Sequence, residues 1–507
     1  MNPRDRRATK RAAKREGDLP NYLPAHLHAE REQAPPGELR LRVTMLAFER
    51  ACHMLRAAGA RFVTLLLADT PEPSIIGTFA LRGDLIVVRA PTEGADPVVY
   101  GSLGATWPAA RWSEQELVER HSVRPVGYES ERTLTAPDAD TIDGRLSGLD
   151  VFAIPFGPVR SGIFEAIQFL IETGGEDVPR LQTRPFFKHR GMEARFAGLA
   201  PETAVHVAER VAGIAGVAYA CAFSHAVERA LGVQAPSSAE RWRTVHAELE
   251  RIACHLDVIA KQAETTALSV GQARFQILKE RVMRLRAVLT GSRFGRGVVL
   301  PGGVRYPGRM DLDELLVELD HLEDEFERDR HLFLRTASMT DRLIGSGSVP
   351  RALAEDYGAV GPLARGSGLS VDARHERPYG EYRRLGLRVV TERDGDAMAR
   401  VSVRFGEITE SMRILRQAID HLRRRNGELV AALPANGRGC AFGWAEAPQG
   451  ELAIWVEIRD GIVHRVRIAS PSLRNWALFD HAFPKDVLTD FAFIEHSFGL
   501  TAAGADR

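Results

Sequence analysis

Three side chains that can bind a metal follow one another along a single predicted helix. His246, Glu250 and Cys254 stand at positions i, i+4 and i+8 of the stretch "RWRTVHAELERIACHLDVIA". Positions four residues apart lie on the same face of an α-helix, and imidazole, carboxylate and thiolate groups are all ligands of zinc. The spacing therefore admits a metal site on this face, while an ordinary structural helix is the alternative.

Cysteine and glycine patterns offer little other chemistry. The chain has four cysteines, none of them in a CxxC pair, and such sparse usage is typical of a protein from a reducing cytoplasm. They are Cys52, Cys221, Cys254 and Cys440. The Gly295-Arg296-Gly297 piece follows no predicted strand, so it is no dinucleotide-binding signal.

The overall composition excludes several classes of function. The 507 residues predict roughly two to four domains. Lys and Arg together number 67, as do Asp and Glu, so no net charge attracts a nucleic acid. We find no secretory signal at the N-terminus and no apolar run of about 18 residues. We therefore expect any membrane role to come through a partner.

The secondary structure around these residues divides the chain into three segments. Residues 1–37 are basic and Pro-rich, which predicts a disordered tail, or an arm that touches a partner or anionic lipid. Residues 38–140 predict a small α+β domain with the helix "ERACHMLRAAGA", the strand "RFVTLLLAD" and a hairpin about Arg82-Gly83-Asp84.

The third segment, residues 141–507, is dominated by long helices. A capping box at Ser237-Ser238-Ala239-Glu240 predicts the start of one of them. Residues 272–290, 311–335 and 407–425 have the same apolar periodicity, and strands return around Asp460-Gly461.

Two sets of motifs resemble known subunits. The stretch "GSLGATWPAARWSEQELVERHSVRPVGYESERTL" resembles the 30-kDa subunit of respiratory complex I, through Trp107, Pro108, Ala109, Ala110, Trp112, Glu114, Glu116, Gly127 and Arg132. From "GPVRSGIFEAIQF" onward the chain resembles the 49-kDa subunit of complex I and, more closely, the large subunit of group 4 nickel–iron hydrogenases of the formate-hydrogenlyase type. The motifs "LQTRPFFKHRGMEARFAGL", "ELERIACHLD", "PGGV", "ARVSVRFGEITES", "EAPQGE", "IASPSLRNW" and "DFAFIEHSFGLTAAGADR" follow in family order.

The resemblance places a nickel site where this chain has no ligands for nickel. Hydrogenases of this kind hold nickel with four cysteine thiolates in two CxxC pairs, because soft thiolates suit such a redox metal. The segment that matches the first pair reads "ERVAGIA", with Ala212 and Ala215 at the ligand positions. Near the C-terminus, Thr501 and Gly504 stand at the second pair. The resemblance therefore implies a relative that has lost nickel–iron chemistry.

The residues that complex I uses for quinone chemistry are also absent from this chain. The complex I relatives use a histidine in an "HPxTHG" loop and a tyrosine in a "DRxDY" segment. Here the loop is the shorter "GPVRSG" at residues 157–162, and Gly213 stands at the tyrosine position. Quinone reduction by that mechanism is not supported, although quinone binding through other residues stays an alternative.

Charged residues remain at the family positions around the lost site. Arg160, Glu165, Glu209 and Arg210 match these positions, which predicts either a proton or conformational relay or a structural ion-pair network. Tyr219 stands where a histidine often follows the first cysteine pair, and we expect it to fill space left by the metal. The resemblance also implies a structural helix, rather than a metal site, around His246.

The resemblance implies an α+β fold, with a small α/β sandwich followed by a mainly α domain flanked by small antiparallel sheets. We expect no cofactor in this chain and a [4Fe-4S] cluster in a partner small subunit, which His189 and Arg190 would face. A ferredoxin-like subunit and complex I-type membrane subunits are the other expected partners, at the cytoplasmic face of the cell membrane. The expected function is that of a peripheral-arm subunit in electron transfer or redox–ion coupling. The alternatives are a non-catalytic assembly scaffold and a quinone reductase with non-standard residues.

Overall fold

The computed structural model describes residues 29–68, 72–128, 134, 151–160, 165–305, 310–424, 427–484 and 486–507. The chain divides into two compact units, Met1–Leu134 and Thr135–Arg507. Helices and several small separate sheets occur together, which confirms the predicted α+β class.

The first unit is built on a five-stranded sheet in the order β1-β2-β5-β4-β3. Strands β2 and β5 are parallel and the other neighbours are antiparallel. The predicted hairpin is present: Leu81 pairs with Asp84, and Arg82 and Gly83 take the positive φ angles of a tight two-residue turn. The strands are β1 (Glu30–Glu32), β2 (Glu38–Arg42), β3 (Arg61–Ala68), β4 (Ser74–Leu81) and β5 (Asp84–Pro91).

Strand β1 lies inside the segment predicted as a tail. It pairs with β2 from Glu30 to Glu32, so the ordered chain begins before residue 37. The pattern "ERE" has no apolar alternation, and only pairing with an existing sheet edge makes it a strand. Residues 1–28, the basic part of the predicted tail, lie outside the described residues.

The family motif around Trp107 supplies core packing to the first unit. The Trp107 ring stacks on Phe79 of β4 with the ring centroids 4.8 Å apart. Helix α1 (Met45–Ala57) and helix α2 (Arg111–Arg120) accompany the sheet, and β6 (Val98–Gly101) pairs in parallel with β7 (Val123–Val126). Buried Glu114 of α2 accepts bonds from the Leu103 and Gly104 N–H groups. Motif residues Trp107 and Glu114 therefore have structural roles.

The second unit contains two three-stranded antiparallel sheets and one two-stranded ladder. The predicted strands around Asp460-Gly461 are confirmed as β14 and β15. The strands are β8 (Phe152–Phe156), β9 (Gln168–Thr173), β10 (Arg180–Arg184), β11 (Val299–Leu300), β12 (Gly303–Val304), β13 (Gly439–Ala447), β14 (Gly450–Arg459) and β15 (Ile462–Ala469).

Long helices form the core of the second unit, and the most extensive apolar cluster lies between them. The predicted helices at 272–290 and 311–335 are confirmed, while the third begins ten residues earlier than its predicted start at 407. The four longest are α5 (Ser237–Thr265), α6 (Ser269–Thr290), α7 (Leu312–Leu334) and α13 (Ala397–Arg424). The others are α3 (Pro201–Ala208), α4 (Gly216–Leu231), α8 (Ala337–Leu343), α9 (Arg351–Asp356), α10 (Gly361–Gly366), α11 (Ala373–Glu376), α12 (Tyr382–Leu385), α14 (Pro471–Trp476), α15 (Phe479–Ala482), α16 (Phe491–Phe498) and α17 (Ala502–Ala505).

The start of α5 differs from the predicted capping box. The helix begins at Ser237 after Pro236, and no side chain caps it. The Glu240 carboxylate is held instead by Arg243, whose Nη1 lies 2.7 Å from Glu240 Oε1. A nearby guanidinium thus competes successfully for the carboxylate that a capping box would use.

One glycine sets how closely the helices approach the C-terminal sheet. A side chain at Gly443 of β13 would place its Cβ 2.1 Å from the Ala222 carbonyl oxygen of α4. Only a hydrogen fits there, so the backbone of α4 lies directly against the strand. This contact positions the segment before α4, which contains the former ligand positions.

Candidate functional site

The first pair of former ligand positions lies in a turn between α3 and α4. Residues Gly213–Ala215 form a short 3₁₀ helix, and α4 begins at Gly216. Ala212 and Ala215 are buried, whereas Gly213 and Ile214 between them are exposed. The CxxC-like spacing therefore still points both side chains inward, but each presents only a methyl group.

The second pair lies at the start of the last helix, α17. Thr501 is the residue before the helix and is buried, and Gly504 lies one turn later. A Cβ atom at Gly504 would lie 3.3 Å from the Tyr219 hydroxyl and 3.2 Å from Ser470 Oγ. The phenol of α4 thus reaches the second pair, and Tyr219 lies beside Gly504.

Tyr219 is fixed in this position by a buried polar contact. Its hydroxyl lies 3.3 Å from Ser470 Oγ. Burial raises the pKa of the Tyr219 phenol, so the group is neutral at physiological pH. A neutral hydroxyl bonded to a hydroxyl is a weak ligand for a soft redox metal.

The Arg190 guanidinium joins the two segments that hold the former ligand positions. Arg190 Nη2 donates to the Val211 carbonyl at 2.5 Å and to the Ala503 carbonyl at 3.1 Å. Arg190 Nη1 donates to the Arg210 carbonyl at 3.1 Å. A metal bound by two CxxC pairs would cross-link the same two segments, and here the Arg190 guanidinium makes that link.

His189 and Arg190 point in different directions. The His189 side chain is exposed, with Nδ1 2.8 Å from the Asp506 carbonyl oxygen, whereas Arg190 is partly buried between the two segments. The resemblance groups them on one interface with a partner. The structure leaves His189 at the surface and gives Arg190 an internal role that the sequence did not predict.

The two C-terminal residues anchor the loop that holds Arg190. The Asp506 carboxylate accepts from the Phe186 N–H at 2.7 Å and from the Lys188 N–H at 3.0 Å. Burial raises the pKa of Asp506 to about 6. Arg507 Nε lies 2.8 Å from Glu193 Oε1. The sequence signal for this anchor was present, because the motif match at the C-terminus includes both residues.

Glu165 and Arg160 make separate links. The Glu165 carboxylate accepts from Thr501 Oγ1 and from the Ala502 N–H, so it holds the start of α17. Arg160 forms a bidentate pair with Glu495 of α16 at 2.7 and 2.8 Å. Its guanidinium also lies over the Phe169 ring, 5.0 Å from the centroid. Each predicted pocket residue here ties a different strand or loop to the C-terminal helices.

The side chains of the neighbouring residues Glu209 and Arg210 differ in their burial. The Glu209 carboxylate is buried and accepts from the Gly297 N–H at 2.6 Å, which fixes the Gly295-Arg296-Gly297 loop. The Arg210 side chain is 54% exposed, and its Nη1 donates to the His206 carbonyl at 2.5 Å. Arg210 therefore lies at the surface rather than inside the predicted pocket.

The side chains at the former ligand positions do not fit nickel. Two methyl groups, one hydroxyl and one hydrogen provide no thiolate, imidazole or carboxylate donor. The groups that enter the same region are the Tyr219 phenol and the Arg190 guanidinium, and a guanidinium repels a metal cation. The arrangement holds backbone segments together, and its buried Asp506 carboxylate can hold a proton.

The predicted metal face of α5 is used structurally. Glu250 accepts from the Val217 and Ala218 N–H groups at 2.8 and 3.0 Å, and so caps α4. Burial lowers the pKa of His246 to about 3, and the ring stacks on Trp242. Burial raises the pKa of Cys254 to about 12, and its Sγ lies 3.3 Å from Gln449. These contacts direct the three side chains to different partners.

A different trio has metal-like spacing. Among the described residues, ligand atoms of His225, Glu228 and Glu240 lie within 4.8 Å of one another. Arg243 already occupies the centre of this trio, with Nη2 2.5 Å from Glu228 and Nη1 2.7 Å from Glu240. Its positive charge disfavours a second cation there.

Comparisons with known proteins agree with the motifs. The family model for the respiratory-chain NADH dehydrogenase 49 Kd subunit matches residues 269–436. Formate hydrogenlyase subunit 5 of Escherichia coli is 27% identical over 83% of this chain and 79% of its own length. The membrane-bound hydrogenase subunit alpha of Pyrococcus furiosus is 30% identical over 70% of this chain and 87% of its own length.

Two further matches come from complex I and from a solved structure. A subunit of the NADH-quinone oxidoreductase of an Anaeromyxobacter species is 30% identical over 69% of this chain and 95% of its own length. A chain of the membrane-bound sulfane sulfur reductase, an archaeal respiratory membrane complex, superposes with a TM-score of 0.67 at 24% identity, over 70% of this chain and 98% of that chain. That similarity shows a shared fold.

In the described part of the chain, no single helix has both the length and the apolar character to cross a bilayer. One pair, Pro201–Ala208 with Gly213–Leu231, meets the test only when joined across a 115° bend, and α4 is packed in the core. The relatives are subunits of membrane-bound complexes. The chain belongs to a family of large subunits that occurs both in complex I and in the related membrane-bound group 4 hydrogenases. The member of this family in complex I is the 49-kDa subunit.

Proposed function

We propose that this chain is the nickel-free large subunit of a membrane-bound oxidoreductase complex and that it couples electron transfer in its partners to ion movement. The observation that carries this proposal is the exchange of four metal ligands for an internal Arg190 cross-link. The same region keeps carboxylates that can hold or release protons, of which Asp506 has a pKa raised by burial to about 6.

The surface beside the Arg190 cross-link supports the proposed site for an iron–sulfur small subunit. Lys188, His189 and Arg195 are exposed on one loop, and Ile214 is 42% exposed on the neighbouring turn. Arg190 bonds to both segments, so this basic rim and the apolar Ile214 lie near each other. We propose that the partner's [4Fe-4S] cluster and a ferredoxin-like subunit carry the electrons, and that complex I-type membrane subunits hold the assembly at the cytoplasmic face.

Metal analysis of the native complex tests the first part of the proposal. The complex would be purified through a tag on this chain, and its subunits would be identified in the same sample. We expect iron without nickel, together with an iron–sulfur subunit and a membrane subunit. Stoichiometric nickel would contradict the proposal, and so would a tagged chain that brings down no other subunit from its native host.

Substitution of Glu165 distinguishes coupling from assembly. A non-catalytic scaffold is the second candidate, because Glu165, Asp506 and Arg507 all hold the C-terminal segment in place. In the Glu165→Gln complex, we expect ion movement in inverted vesicles to fall at least about tenfold, with viologen-linked electron transfer and subunit composition retained. Glu176→Gln, an exposed site in the same unit, is the control. Unchanged ion movement in both variants would favour the scaffold.

A further inference from the structure

A second group of charges lies inside the long-helix bundle, on residues other than those around the former ligand positions. Its side chains are at most 3% exposed and are connected through ion pairs of 4.0 Å or less. We call it the buried charge cluster, and its members are Glu248, Arg251, His255, Arg365, Asp372, Arg374, Glu407 and Glu446.

The buried charge cluster has one more acid than base. It contains three guanidinium groups and four carboxylates. Its histidine, His255, does not make up the difference, because burial lowers the pKa of this imidazole to about 4. An uncompensated charge in the protein interior is costly, and a carboxylate avoids the cost by taking up a proton.

The geometry selects Glu446 as the carboxylate that takes the proton. Arg365 Nη1 donates to Glu446 Oε1 at 2.9 Å and to the Val371 carbonyl at 2.7 Å, and Asp372 Oδ2 lies 3.3 Å from the same nitrogen. Asp372 has a second guanidinium, since Arg374 Nη2 lies 2.7 Å from it. Beyond Arg365, Glu446 accepts only the Ala373 N–H among the contacts of its carboxylate, at 2.9 Å. Two like charges beside one guanidinium favour protonation of the less compensated group.

The remaining carboxylates of the cluster are better compensated. Glu407 lies 2.6 Å from Arg365 Nε and 2.8 Å from His255. Glu248 accepts from Arg374 at 3.1 Å and from Ser411 Oγ at 2.6 Å. These partners hold both groups in the ionised form, and the pKa values of Glu407 and Glu248 lie below the ordinary value because the guanidinium charges outweigh burial.

A small cleft has Glu446 among its lining residues. Its cavity volume is about 10 Å³, room for about one water molecule, and α4, α5 and β13 contribute to its walls. His225 and Glu240, whose side chains are 12% and 17% exposed, line its outer part, and Glu446 lines it as well. The Tyr379 hydroxyl, also in the wall, accepts the Glu446 backbone N–H at 2.9 Å. Polar walls of this kind can hold ordered water.

We propose that Glu446 is a proton-binding site that exchanges its proton with solvent through this cleft. One proton from water binds to a carboxylate oxygen and forms one O–H bond, without electron transfer. Burial, followed by the nearby Asp372 carboxylate, raises the pKa of Glu446 to about 7, so the group changes its charge near physiological pH. The site uses other residues than the Arg190 cross-link, and the proposal does not depend on the function proposed above.

Other charged groups around Glu446 also influence whether its carboxyl group is protonated. Arg251 on α5 donates to the Glu446 backbone carbonyl at 2.6 Å. Glu451 on β14 lies directly opposite Glu446 in the antiparallel sheet. Arg404 on α13 directs its guanidinium to the Arg400 and Phe498 carbonyls. The groups that face Glu446 or its partners from the surrounding elements are Arg251, His255, Arg365, Asp372, Arg374, Tyr379, Arg404, Glu407 and Glu451.

Infrared difference spectroscopy of the full chain tests the site. We expect a carboxylic acid C=O band that is present at pH 6 and lost at pH 8, with a midpoint at about 7. The Glu446→Gln variant should lack this pH-dependent band, because glutamine keeps the acceptor for Arg365 but does not titrate. Glu457→Gln, at a buried carboxylate on β14 outside the cluster, should keep it. Asp506, whose pKa is raised by burial to about 6, contributes a separate band in every variant. A band with a midpoint at about 7 that persists in Glu446→Gln would overturn the proposal.

Two further readouts separate the proton site from a folding effect. Because the pKa is raised from 4.5 to about 7, the folded chain binds this proton more tightly than the unfolded chain, so stability falls as pH rises between these values. This fall should be smaller in Glu446→Gln than in the unmodified chain. Ala247→Leu, in the cleft wall, should slow exchange of the carboxyl proton for deuterium and leave the midpoint unchanged. Equal exchange rates would contradict the proposed route.

Discussion

Replacing Arg365 with leucine is expected to lower the free energy of unfolding by about 3–5 kcal/mol. Arg365 is fully buried and pairs with Glu407 at 2.6 Å and with Glu446 at 2.9 Å. It also lies 3.3 Å from Asp372. Leucine fills part of the space but leaves three buried carboxylates without their shared cation. Urea unfolding of the full chain, followed by tryptophan fluorescence, measures the loss.

The effect of Arg365→Leu should depend on pH in a specific direction. The orphaned carboxylates can take up protons as the pH falls, so the loss of stability should be smaller at pH 5 than at pH 8. Arg351→Leu provides the matched control, since Arg351 is 63% exposed, pairs with the exposed Glu355 and donates to the Gly368 carbonyl at the surface. We expect that control to change stability by less than about 0.5 kcal/mol. Similar losses in the two variants would refute the assignment of Arg365 as the centre of the buried charge cluster.

Replacing Arg190 with alanine is expected to lower the free energy of unfolding by about 2–4 kcal/mol and to loosen the C-terminal segment. The guanidinium makes three charge-assisted bonds to the carbonyls of Arg210, Val211 and Ala503. Without it, the carbonyl groups at both former ligand pairs lose their common donor. Hydrogen exchange of residues 501–507 should accelerate, and the urea midpoint should fall.

The control for Arg190→Ala lies on one of the segments that it joins. Arg210→Ala removes the same charge and the same side-chain type, but the Arg210 guanidinium is about half exposed and has only local contacts, with the His206 carbonyl and with the Glu209 carboxylate at 3.8 Å. We expect less than about 1 kcal/mol for this control and no faster exchange in residues 501–507. If both variants behaved alike, Arg190 would not be the link that takes the place of a metal.

The region around Ala212, Ala215, Thr501 and Gly504 shows how two distant segments of the family fold can be held together without cysteine ligands. In a hydrogenase, a metal bound by two CxxC pairs would join two segments that are far apart in sequence. Here the two segments are joined through Arg190, while Asp506 and Arg507 fix the loop that holds it. The Tyr219 ring occupies the space beside Gly504. The fold therefore keeps its long-range closure with hydrogen bonds and ion pairs alone.

Much of the fold follows from local sequence patterns. The hairpins at Arg82-Gly83 and Asp460-Gly461 were predictable because each needs two positive φ angles that few residue pairs supply. The helices at 269–290 and 312–334 were predictable from apolar periodicity. Strand β1 was not, since its polar residues become a strand only by pairing with β2.

The candidate site was predictable only in part. The absence of thiolates at Ala212, Ala215, Thr501 and Gly504 is a fact of residue identity, and it can be read without the fold. The orientation of a side chain, by contrast, cannot be read from residue identity. Arg210 matches a family position as well as Glu209 does, yet one lies at the surface and the other is buried.

The family, the α+β class and the absence of four cysteine ligands can be read from the sequence, because they depend on motif order, periodicity and the identity of four residues. The link between the two segments, and the place of the proposed proton site, depend on long-range contacts in the folded chain. Arg190 and Ala503 are more than 300 residues apart, as the 313-residue separation of their hydrogen bond shows. The Arg365 guanidinium likewise links Glu446 of β13 to Asp372, the residue before α11. Contacts over such separations are set by packing of the whole unit, which no local pattern encodes.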